Sequence, residues 1–386
     1  MPPLSVVIAG ESLRPPLTGI GRYTRELVAA LIQGVGSVQP HLFLAPDLIP
    51  ARLWLTQAGP TRATAYAAIR RRVRALPGAY DIFHRLRARA FARASRGMRL
   101  YHEPAYVLKP FDGAAVVTVH DLSHHVQPAW HPSERVRFLE RHLPHSLERA
   151  QRVLVVSEFT RAELMRIYSV PAHKLRVTPL AAASSFRRLS DAQMAAVLRR
   201  YGLRKLAYLL TAATLEPRKN LSGLLAAFSR LPVRLRRAFP LAIAGTRGWR
   251  CAELEAQVEK MAARGEVIRL GYVPDEDLPA LMNGCRAFAY PSLYEGFGLP
   301  LIEAQACGAA VLTSNRSALP EVAGPAALSV EPQDIEALTH ALARLCEDDG
   351  LIARAQADGP AFAGRFTWAE TARLTAQAYS EALACC

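Results

Sequence analysis

The chain has 386 residues, of which 51% are hydrophobic and 21% are charged, a composition typical of a globular protein that is long enough for two domains. It has no apolar run of the ~20 residues that cross a bilayer, no signal-peptide pattern and no C-x-x-C spacing, which argues against a membrane-spanning protein, a secreted disulfide scaffold and a zinc site. The net charge of +15 is concentrated in residues 1–185, where 25 Lys and Arg stand against 12 Asp and Glu, so a polyanionic partner is expected.

Short apolar strands alternate with helices through the first half of the chain. The pattern predicts strands at 4–10, at 99–103, at 114–121 and within 152–160. These strands are continuous apolar runs, which is typical of parallel strands that are buried on both faces. We therefore predict a Rossmann-like domain over residues 1–185.

The pattern is interrupted at 177–190, a segment of small residues without periodicity that we predict to be a linker. Strands are predicted again at 206–213 and 240–245, so a second Rossmann-like domain is expected over residues 186–366. Residues 367–384 have the spacing of a single amphipathic helix. The sequence thus predicts two α/β domains in tandem, followed by a terminal helix.

Ligands of such domains bind in the loops that follow the strands, at the carboxyl edge of each sheet. Gly19 and Gly21 follow the first strand and precede a helix, where glycine lets the backbone approach a phosphate or sugar. A third glycine is missing, so the spacing is not a dinucleotide fingerprint. His120 and Asp121 end another strand, where His120 is placed to bind a hydroxyl or to move a proton.

The second half has two charged loops. Arg218 and Lys219 precede a helix, and adjacent cations at a helix N-terminus suit a diphosphate. In the sequence YEGFGLPLIEA, Glu295 lies in a strand-to-helix loop and Glu303 lies about one turn into the helix. Their carboxylates can accept hydrogen bonds from sugar and ribose hydroxyls, while the loop amides between them face an anion. The pattern predicts a site for a nucleotide sugar.

One short acidic segment could suggest a metal. The sequence Pro-Asp-Glu-Asp at 274–277 has the Asp-x-Asp spacing that holds a divalent cation in some transferases. We interpret it as the start of a surface helix. His124, His125 and His131 do not have the spacing of a helical metal pair. We therefore expect neither a metal nor another cofactor, and regard the nucleotide sugar as a substrate.

Together these motifs resemble the retaining glycosyltransferases of family 4. The resemblance covers nearly the whole chain and is carried by Gly-Ile-Gly-Arg-Tyr at 19–23, His-Asp at 120–121, Glu-Pro-Arg-Lys-Asn at 216–220, GYVPDEDL and PSLYEGFGLPLIEA. It implies the GT-B fold, in which an N-terminal acceptor-binding domain and a C-terminal nucleotide-sugar-binding domain face each other across a cleft. It also implies that a crossover helix, here 367–386, packs back toward the N-terminal domain.

The resemblance implies a role for each charged residue of the motifs. Glu295 contacts hydroxyls of the donor sugar, and Glu303 holds the ribose. Lys219, together with Arg218, neutralises the leaving diphosphate. The sequence departs from the family at 212–214, Ala-Ala-Thr, where many relatives carry a phosphate-binding arginine, and Arg218 is expected to replace it.

The same resemblance implies roles for the loops of both domains. Gly19 and Gly21 close over the donor phosphates, and His120 lies beside the transferring sugar and the acceptor. Four further residues bind the donor through their backbone amides, and these are Gly296, Phe297, Gly298 and Leu299. Tyr272 and Val273 lie near the base of the donor.

The whole pattern resembles the mannosyltransferase-like branch of this family, which builds bacterial O-antigens and exopolysaccharides. It implies transfer of a hexose, mannose or a relative such as D-rhamnose, from a GDP-sugar to a lipid-linked glycan. A UDP- or dTDP-sugar donor is an alternative, as is a nucleotide-sugar epimerase or hydrolase of the same fold. Nucleic-acid binding is a further alternative from another class, and the donor motif weighs against it.

The densest positive charge lies between Arg62 and Arg99, with eleven arginines and one acid, Asp81. Apolar residues such as Ile69 and Val73 are interleaved with these arginines. We predict that the segment docks a cytoplasmic enzyme on the anionic inner face of the cytoplasmic membrane, where each arginine contributes roughly 1 kcal/mol. A solvated helix face is the alternative explanation.

Overall fold

The computed structural model describes residues 3–14, 17–34, 38–56, 79–246 and 252–385. Contacts divide the chain into two compact units. The first unit comprises residues 1–122, 137–180 and 368–386, and the second comprises residues 123–136 and 181–367. The acceptor-binding and donor-binding roles of the two predicted domains stay predictions.

A parallel sheet forms the centre of the first unit. Its described strands are β1 (Leu4–Ala9), β2 (Val38–Leu44), β3 (Asp47–Pro50), β4 (Leu100–Glu103), β5 (Ala114–Val119), β6 (Arg152–Val155) and β7 (Leu175–Val177). They lie in the order β3-β2-β1-β4-β5-β6-β7, and β3 alone of these described strands is antiparallel to its neighbour. Strand β5, with the sequence AAVVTV, is buried along its whole length, as expected for a central strand that helices cover on both faces.

The second unit has a sheet of its own. Its described strands are β8 (Leu209–Ala212), β9 (Leu241–Ala244), β10 (Val267–Gly271), β11 (Ala287–Tyr290), β12 (Ala310–Ser314) and β13 (Leu328–Val330). They lie in the order β10-β9-β8-β11-β12-β13, and the pairs among these described strands are parallel. Apolar residues of β8, β9, β11 and β12 form the core of this unit together with the helices that cover them.

Helices alternate with these strands along the described chain. They are α1 (Gly19–Gly34), α2 (Ala51–Thr56), α3 (Ala79–Ala94), α4 (Ser123–Val126), α5 (Ser133–Arg149), α6 (Glu158–Tyr168), α7 (Asp191–Arg200), α8 (Leu221–Arg230), α9 (Val233–Ala238), α10 (Ala252–Ala262), α11 (Leu278–Gly284), α12 (Leu299–Ala306), α13 (Leu319–Val322), α14 (Ile335–Glu347), α15 (Asp349–Ala363) and α16 (Trp368–Ala384). None of the described helices is long and apolar enough to cross a membrane.

The terminal helix α16 packs in the first unit, which confirms its predicted return to the N-terminal domain. The buried Tyr379 hydroxyl lies 2.7 Å from His102 Nδ1 at the end of β4. Glu381 accepts hydrogen bonds from Arg152 at 2.9 Å and from Arg176 at 2.6 Å. Hydrogen bonds and ion pairs therefore attach the last helix of the chain to the first sheet.

The structure confirms the predicted pair of Rossmann-like sheets and adds elements that the sequence did not suggest. Strands β2 and β3, at one side of the first sheet, were missed, because polar residues and prolines interrupt the apolar run in both of them, VQPHLFL in β2 and DLIP in β3. The interpretation of 274–277 as the start of a surface helix is wrong. The helix that follows, α11, is buried throughout, and Asp277 pairs with Arg200 at 2.7 Å.

Candidate active site

The charged loops of the second unit follow β8 and β11, the neighbouring strands between which the strand order of its sheet reverses. From β8 the chain builds outward to β9 and β10 on one side, and then to β11, β12 and β13 on the other. In open α/β sheets such a switch point is the place where ligands bind, at the carboxyl ends of the two central strands. The loop after β8 carries the short turn Pro217–Lys219, and the loop after β11 carries Glu295.

Three side chains hold the Glu295 carboxylate. Its Oε1 accepts hydrogen bonds from Lys219 Nζ at 2.6 Å and from the Tyr290 hydroxyl at 2.9 Å. Lys219 Nζ also lies 2.7 Å from that hydroxyl, so the three groups form a closed triangle. Its Oε2 accepts from Arg218 at 3.1 Å. The structure therefore brings together the predicted site residues Arg218, Lys219 and Glu295.

Arg218 ties the two loops to each other. Its guanidinium donates to Glu216 Oε1 at 3.0 Å and to the Tyr294 carbonyl at 3.2 Å, while its own carbonyl accepts from the Leu293 amide at 2.9 Å. Glu216 and Glu295 are both buried. Two carboxylates and two cations thus share one buried network, whose formal charge is balanced.

The charges in this network are unequally satisfied. Burial raises the pKa of Glu295, but the Arg218 and Lys219 cations outweigh burial and hold it below its usual value. Burial lowers the pKa of Lys219, Arg218 lowers it further, and the two carboxylates do not fully compensate. Because the Arg218 cation lies beside it, the charged form of Lys219 would be stabilised further by an anionic ligand.

The backbone of the second loop is shaped by Gly298. This residue has a φ of +103°, which favours glycine, and a Cβ built on it would lie 2.6 Å from Leu319 Cδ2, so that side chain would also have to move. The next residue, Leu299, begins α12. The Phe297 side chain is buried edge-on against Phe366, with 5.8 Å between the ring centroids. The ring of Phe297 is therefore not available to a ligand, but its backbone amide can contribute to a binding site.

Glu303 lies one turn into α12, as the sequence predicts, and is 2% exposed. The two residues predicted to lie near the base, Tyr272 and Val273, differ in exposure. The chain turns at Gly271, which has a φ of +68°, and leaves Tyr272 61% exposed beside the buried Val273. A flat exposed ring of this kind offers a stacking surface, whereas Val273 offers only its backbone.

Gly19, Gly21 and His120 belong to the first unit. Helix α1 begins at Gly19, and a Cβ on Gly21 would lie 2.4 Å from the Ser12 carbonyl oxygen, so glycine is required there. His120 follows β5, with Nε2 2.7 Å from the Pro104 carbonyl oxygen. Since a carbonyl only accepts, Nε2 carries the proton and Nδ1 is the basic nitrogen. Burial lowers the pKa of His120, which favours this neutral form.

A second buried charge network lies in the first unit, at the ends of β1 and β4, the neighbouring strands between which the strand order of that sheet reverses. Glu103 Oε2 accepts from the Tyr101 hydroxyl at 2.5 Å and from Lys109 Nζ at 2.8 Å. Lys109 Nζ also lies 3.5 Å from Glu11, which faces Arg87 at 3.4 Å. The sequence suggested no role for Glu11, Tyr101, Glu103 and Lys109, and Arg87 was included only in the predicted membrane segment Arg62–Arg99.

Two members of the charged network around Glu295 were also missed, Tyr290 and Glu216. Glu216 stands in the motif at 216–220 and Tyr290 directly precedes the motif PSLYEGFGLPLIEA, but neither was given a function. The signal for Tyr290 is its place as the last residue of β11, directly before the loop that carries Glu295. Glu216 is two residues from Arg218, a spacing at which the two side chains can pair across a tight turn.

Asp277 of the acidic segment 274–277 accepts hydrogen bonds from Arg200 at 2.7 Å and from the Tyr201 hydroxyl at 2.9 Å. This carboxylate thus attaches α11 to the end of α7. Within the described ranges of the chain, no three His, Cys, Asp or Glu side chains come together as a group that could hold a metal ion.

Comparison with known proteins identifies close relatives. The family described as glycosyl transferases group 1 matches residues 199–360. The chain is 38% identical to the O-antigen chain mannosyltransferase B of Escherichia coli, over 97% of this chain and 99% of that one. It is 30% identical to the serotype-specific mannosyltransferase WbdA of Escherichia coli, over 61% of this chain and 29% of that one.

Solved structures share the fold at low identity. HepE of Anabaena, in complex with UDP and glucose, superposes with a TM-score of 0.73 at 16% identity, over 98% of this chain and 99% of that one. WaaG, a glycosyltransferase involved in lipopolysaccharide biosynthesis, superposes with a TM-score of 0.70 at 15% identity, over 98% of this chain and 100% of that one. The predicted GT-B fold class is thereby confirmed.

Proposed function

Because the chain belongs to the glycosyl transferases of group 1 and is therefore a sugar-transferring enzyme, we propose that it moves mannose from GDP-mannose to a lipid-linked glycan in cell-surface polysaccharide synthesis. The observation that carries this proposal is the 38% identity to an O-antigen mannosyltransferase over nearly the full length of both chains. Residues 186–366 form the donor-binding domain in this proposal, and residues 1–185 bind the acceptor.

In this proposal the donor diphosphate binds between the two loops at the switch point of the second sheet. Lys219 and Arg218 neutralise the diphosphate, and Glu295 accepts hydrogen bonds from hydroxyls of the mannose. The charge balance supports this assignment. In the network of four charges, Lys219 and Arg218 lie within 3.1 Å of Glu295, so an arriving diphosphate competes with the carboxylate for both cations. The carboxylate is thereby released toward the sugar.

The transfer proceeds with retention of the anomeric configuration. The bond from the sugar C1 to the diphosphate oxygen breaks, and its electron pair leaves with the diphosphate. The acceptor hydroxyl oxygen bonds to C1 on the same face, and its proton passes to the leaving phosphate oxygen. The contribution of the enzyme is electrostatic, because Arg218 and Lys219 stabilise negative charge as it develops on the leaving group.

The remaining predicted residues complete this donor and acceptor site. Gly19 and Gly21 close over the phosphates, and His120 uses its basic Nδ1 toward the sugar or the acceptor hydroxyl. Glu303 holds the ribose, and the exposed Tyr272 ring stacks near the base with the Val273 backbone beside it. Four consecutive residues supply backbone amides to the sugar and phosphate, and these are Gly296, Phe297, Gly298 and Leu299.

A lipid-linked acceptor requires contact with a membrane surface, and we assign that contact to Arg62–Arg99. Residues 62–78 of this segment lie outside the described residues. In the described part, Leu86 of α3 is 57% exposed and Arg89, Arg93, Arg96 and Arg99 are all exposed. Exposed arginines beside an exposed leucine suit a shallow contact with anionic headgroups.

Vesicle co-sedimentation tests the membrane contact. Wild type is expected to bind vesicles that contain anionic lipid and to be released by salt, since the attraction is screened over ~10 Å at 0.1 M ionic strength. A variant with Arg70, Arg71, Arg72 and Arg74 changed to Gln is expected to bind less. Equal binding to neutral vesicles would leave the arginines as a solvated face.

The donor is tested with a thermal-shift panel followed by a transfer assay. We expect GDP and GDP-mannose to stabilise the protein more than UDP, dTDP or their sugars. Radiolabelled mannose is then expected to move from GDP-mannose to a synthetic polyprenyl-diphosphate glycan. Stabilisation by UDP alone would replace the proposed donor by a UDP-sugar. Turnover without an acceptor, equal to that with one, would favour a hydrolase.

A further inference from the structure

Tyr290 lies at the centre of the charged network around Glu295, although neither the motifs nor the comparisons assign it a part. We propose that Tyr290 is a positioning residue, which holds the Glu295 carboxylate in place when Lys219 turns from that carboxylate to the diphosphate of the donor. The proposal rests on the proposed function in one respect, that the substrate carries a diphosphate.

The geometry of the triangle gives the tyrosine hydroxyl two partners at once. It donates to Glu295 Oε1 at 2.9 Å and accepts from Lys219 Nζ at 2.7 Å. The ammonium can leave this arrangement, because a lysine side chain is flexible and Lys219 is 13% exposed. The hydroxyl remains, and so does its hydrogen bond to the carboxylate.

The tyrosine itself is fixed. It is the last residue of β11, its carbonyl accepts from Thr313 Oγ1 at 3.2 Å, and it is 2% exposed. Its ring stacks with Phe288 at 5.9 Å between centroids. Burial, with the Glu295 charge beside it, raises the pKa of Tyr290 well above its usual value. The hydroxyl therefore stays protonated and able to donate.

Removing the hydroxyl changes both partners. Lys219 loses an acceptor that draws it away from Glu295, so the ion pair closes more tightly and an incoming diphosphate must break it. Glu295 Oε1 loses the donor that remains when the lysine leaves. The variant is therefore expected to bind diphosphate more weakly and to turn over donor more slowly, with a larger effect on kcat than on the KM for the donor.

The experiment compares Tyr290→Phe with a matched control, Tyr208→Phe. Tyr208 is also fully buried in the second unit, and its hydroxyl donates to the Leu281 carbonyl at 2.6 Å, outside the charged network. Both substitutions delete one buried hydroxyl and one hydrogen bond. Each full-length protein is measured for thermal midpoint, for inorganic diphosphate affinity by calorimetry, and for kcat and KM with GDP-mannose.

We expect Tyr290→Phe to lose about three- to tenfold in diphosphate affinity, the worth of one hydrogen bond. Its kcat should fall about 10- to 100-fold, the range known for removal of a group that orients a metal ligand. Tyr208→Phe should match wild type in both while showing a similar fall in midpoint. Unchanged diphosphate affinity in Tyr290→Phe, equal losses in the control, or no diphosphate binding by wild type would each overturn the proposal.

Failure of the proposed function is a separate outcome. If wild type binds inorganic diphosphate but does not consume GDP-mannose, the donor assignment fails. The comparison of diphosphate affinity between Tyr290→Phe and Tyr208→Phe then still tests whether Tyr290 is a positioning residue.

Discussion

The two sheets carry networks of the same composition at their switch points. In the first unit, Tyr101 and Lys109 contact Glu103, and in the second unit Tyr290 and Lys219 contact Glu295. Each network also contains an arginine and a second glutamate. Residue types alone therefore do not distinguish the network that we assign to catalysis from the other.

The arrangement of the charges distinguishes them. Lys109 lies between two carboxylates, Glu103 at 2.8 Å and Glu11 at 3.5 Å. Burial lowers the pKa of Lys109, but the two carboxylates outweigh burial and raise it. Lys219 instead has Arg218 as a neighbour, and its pKa is lowered. Lys109 therefore has two carboxylate partners, whereas Lys219 has one carboxylate partner, Glu295, and a second cation, Arg218, beside it, and an added anion would stabilise that pair of cations. We infer that the first network serves stability and the second serves function.

The largest expected effect separates these two roles through stability. Lys109→Met removes the cation between the buried Glu103 carboxylate and the partly exposed Glu11 carboxylate, and leaving a buried charge unpaired costs about 3–5 kcal/mol. Urea unfolding should show this loss in the free energy of unfolding. At low temperature, where the variant stays folded, GDP affinity by calorimetry should equal that of wild type.

The other lysine of the first unit supplies the control. Lys174→Met removes hydrogen bonds to the Leu147 and Glu148 carbonyls and should cost about 1 kcal/mol. An equal loss in the two variants would mean that the first network is not a special source of stability. A loss of GDP affinity in Lys109→Met would break the division of roles.

The second prediction concerns turnover. Lys219→Ala and Glu295→Ala should each lower kcat with GDP-mannose by about 100- to 1000-fold, the usual cost of one electrostatic contact to a transition state. Stability should fall less than in the first network, because Arg218 keeps Glu216 as a partner at 3.0 Å. Turnover and thermal midpoint are measured on the same preparations.

Lys205→Ala is the matched control for the lysine variant. Lys205 pairs with Asp191 at 2.6 Å on the exposed surface of the same unit, where ion pairs contribute little. Its turnover should equal that of wild type. Wild-type turnover in Lys219→Ala or Glu295→Ala would remove both residues from the mechanism.

The sequence predicted the loops of the candidate site in the second unit better than the contacts within it. Arg218, Lys219 and Glu295 could be named because their loops follow apolar strands and precede helices. The triangle with Tyr290 could not be predicted, since it depends on how β8 and β11 pair across many residues of sequence. The same limit hid the contact between Glu11 and Lys109, which requires β1 and β4 to be neighbours.

The third prediction uses pH to sharpen the contrast between the two lysines. Diphosphate binds the charged form of Lys219, whose pKa in the free protein lies below the usual 10.5. Affinity should be full while the lysine is protonated and should fall as pH rises through this lowered value, by up to about tenfold per pH unit. Calorimetric titrations of GDP from neutral to alkaline pH measure the change.

Lys219→Arg is the control, because arginine stays charged over this range. Any fall in GDP affinity that the two proteins share belongs to ionisation of the nucleotide, and the difference between them belongs to Lys219. If wild type and Lys219→Arg follow the same curve, Lys219 is not the group whose charge the diphosphate requires.

The smallest expected effect is that of metal removal. In many transferases a divalent cation stabilises the leaving diphosphate, but here Arg218 and Lys219 supply two positive charges at the same switch-point loops. Turnover with GDP-mannose should therefore be unchanged in excess EDTA. Activity that is lost with EDTA and restored by magnesium or manganese would mean that the two cations are insufficient. The adjacent positive charges of Lys219 and Arg218 would then not be enough to account for diphosphate binding, and the contrast with Lys109 would lose its functional meaning.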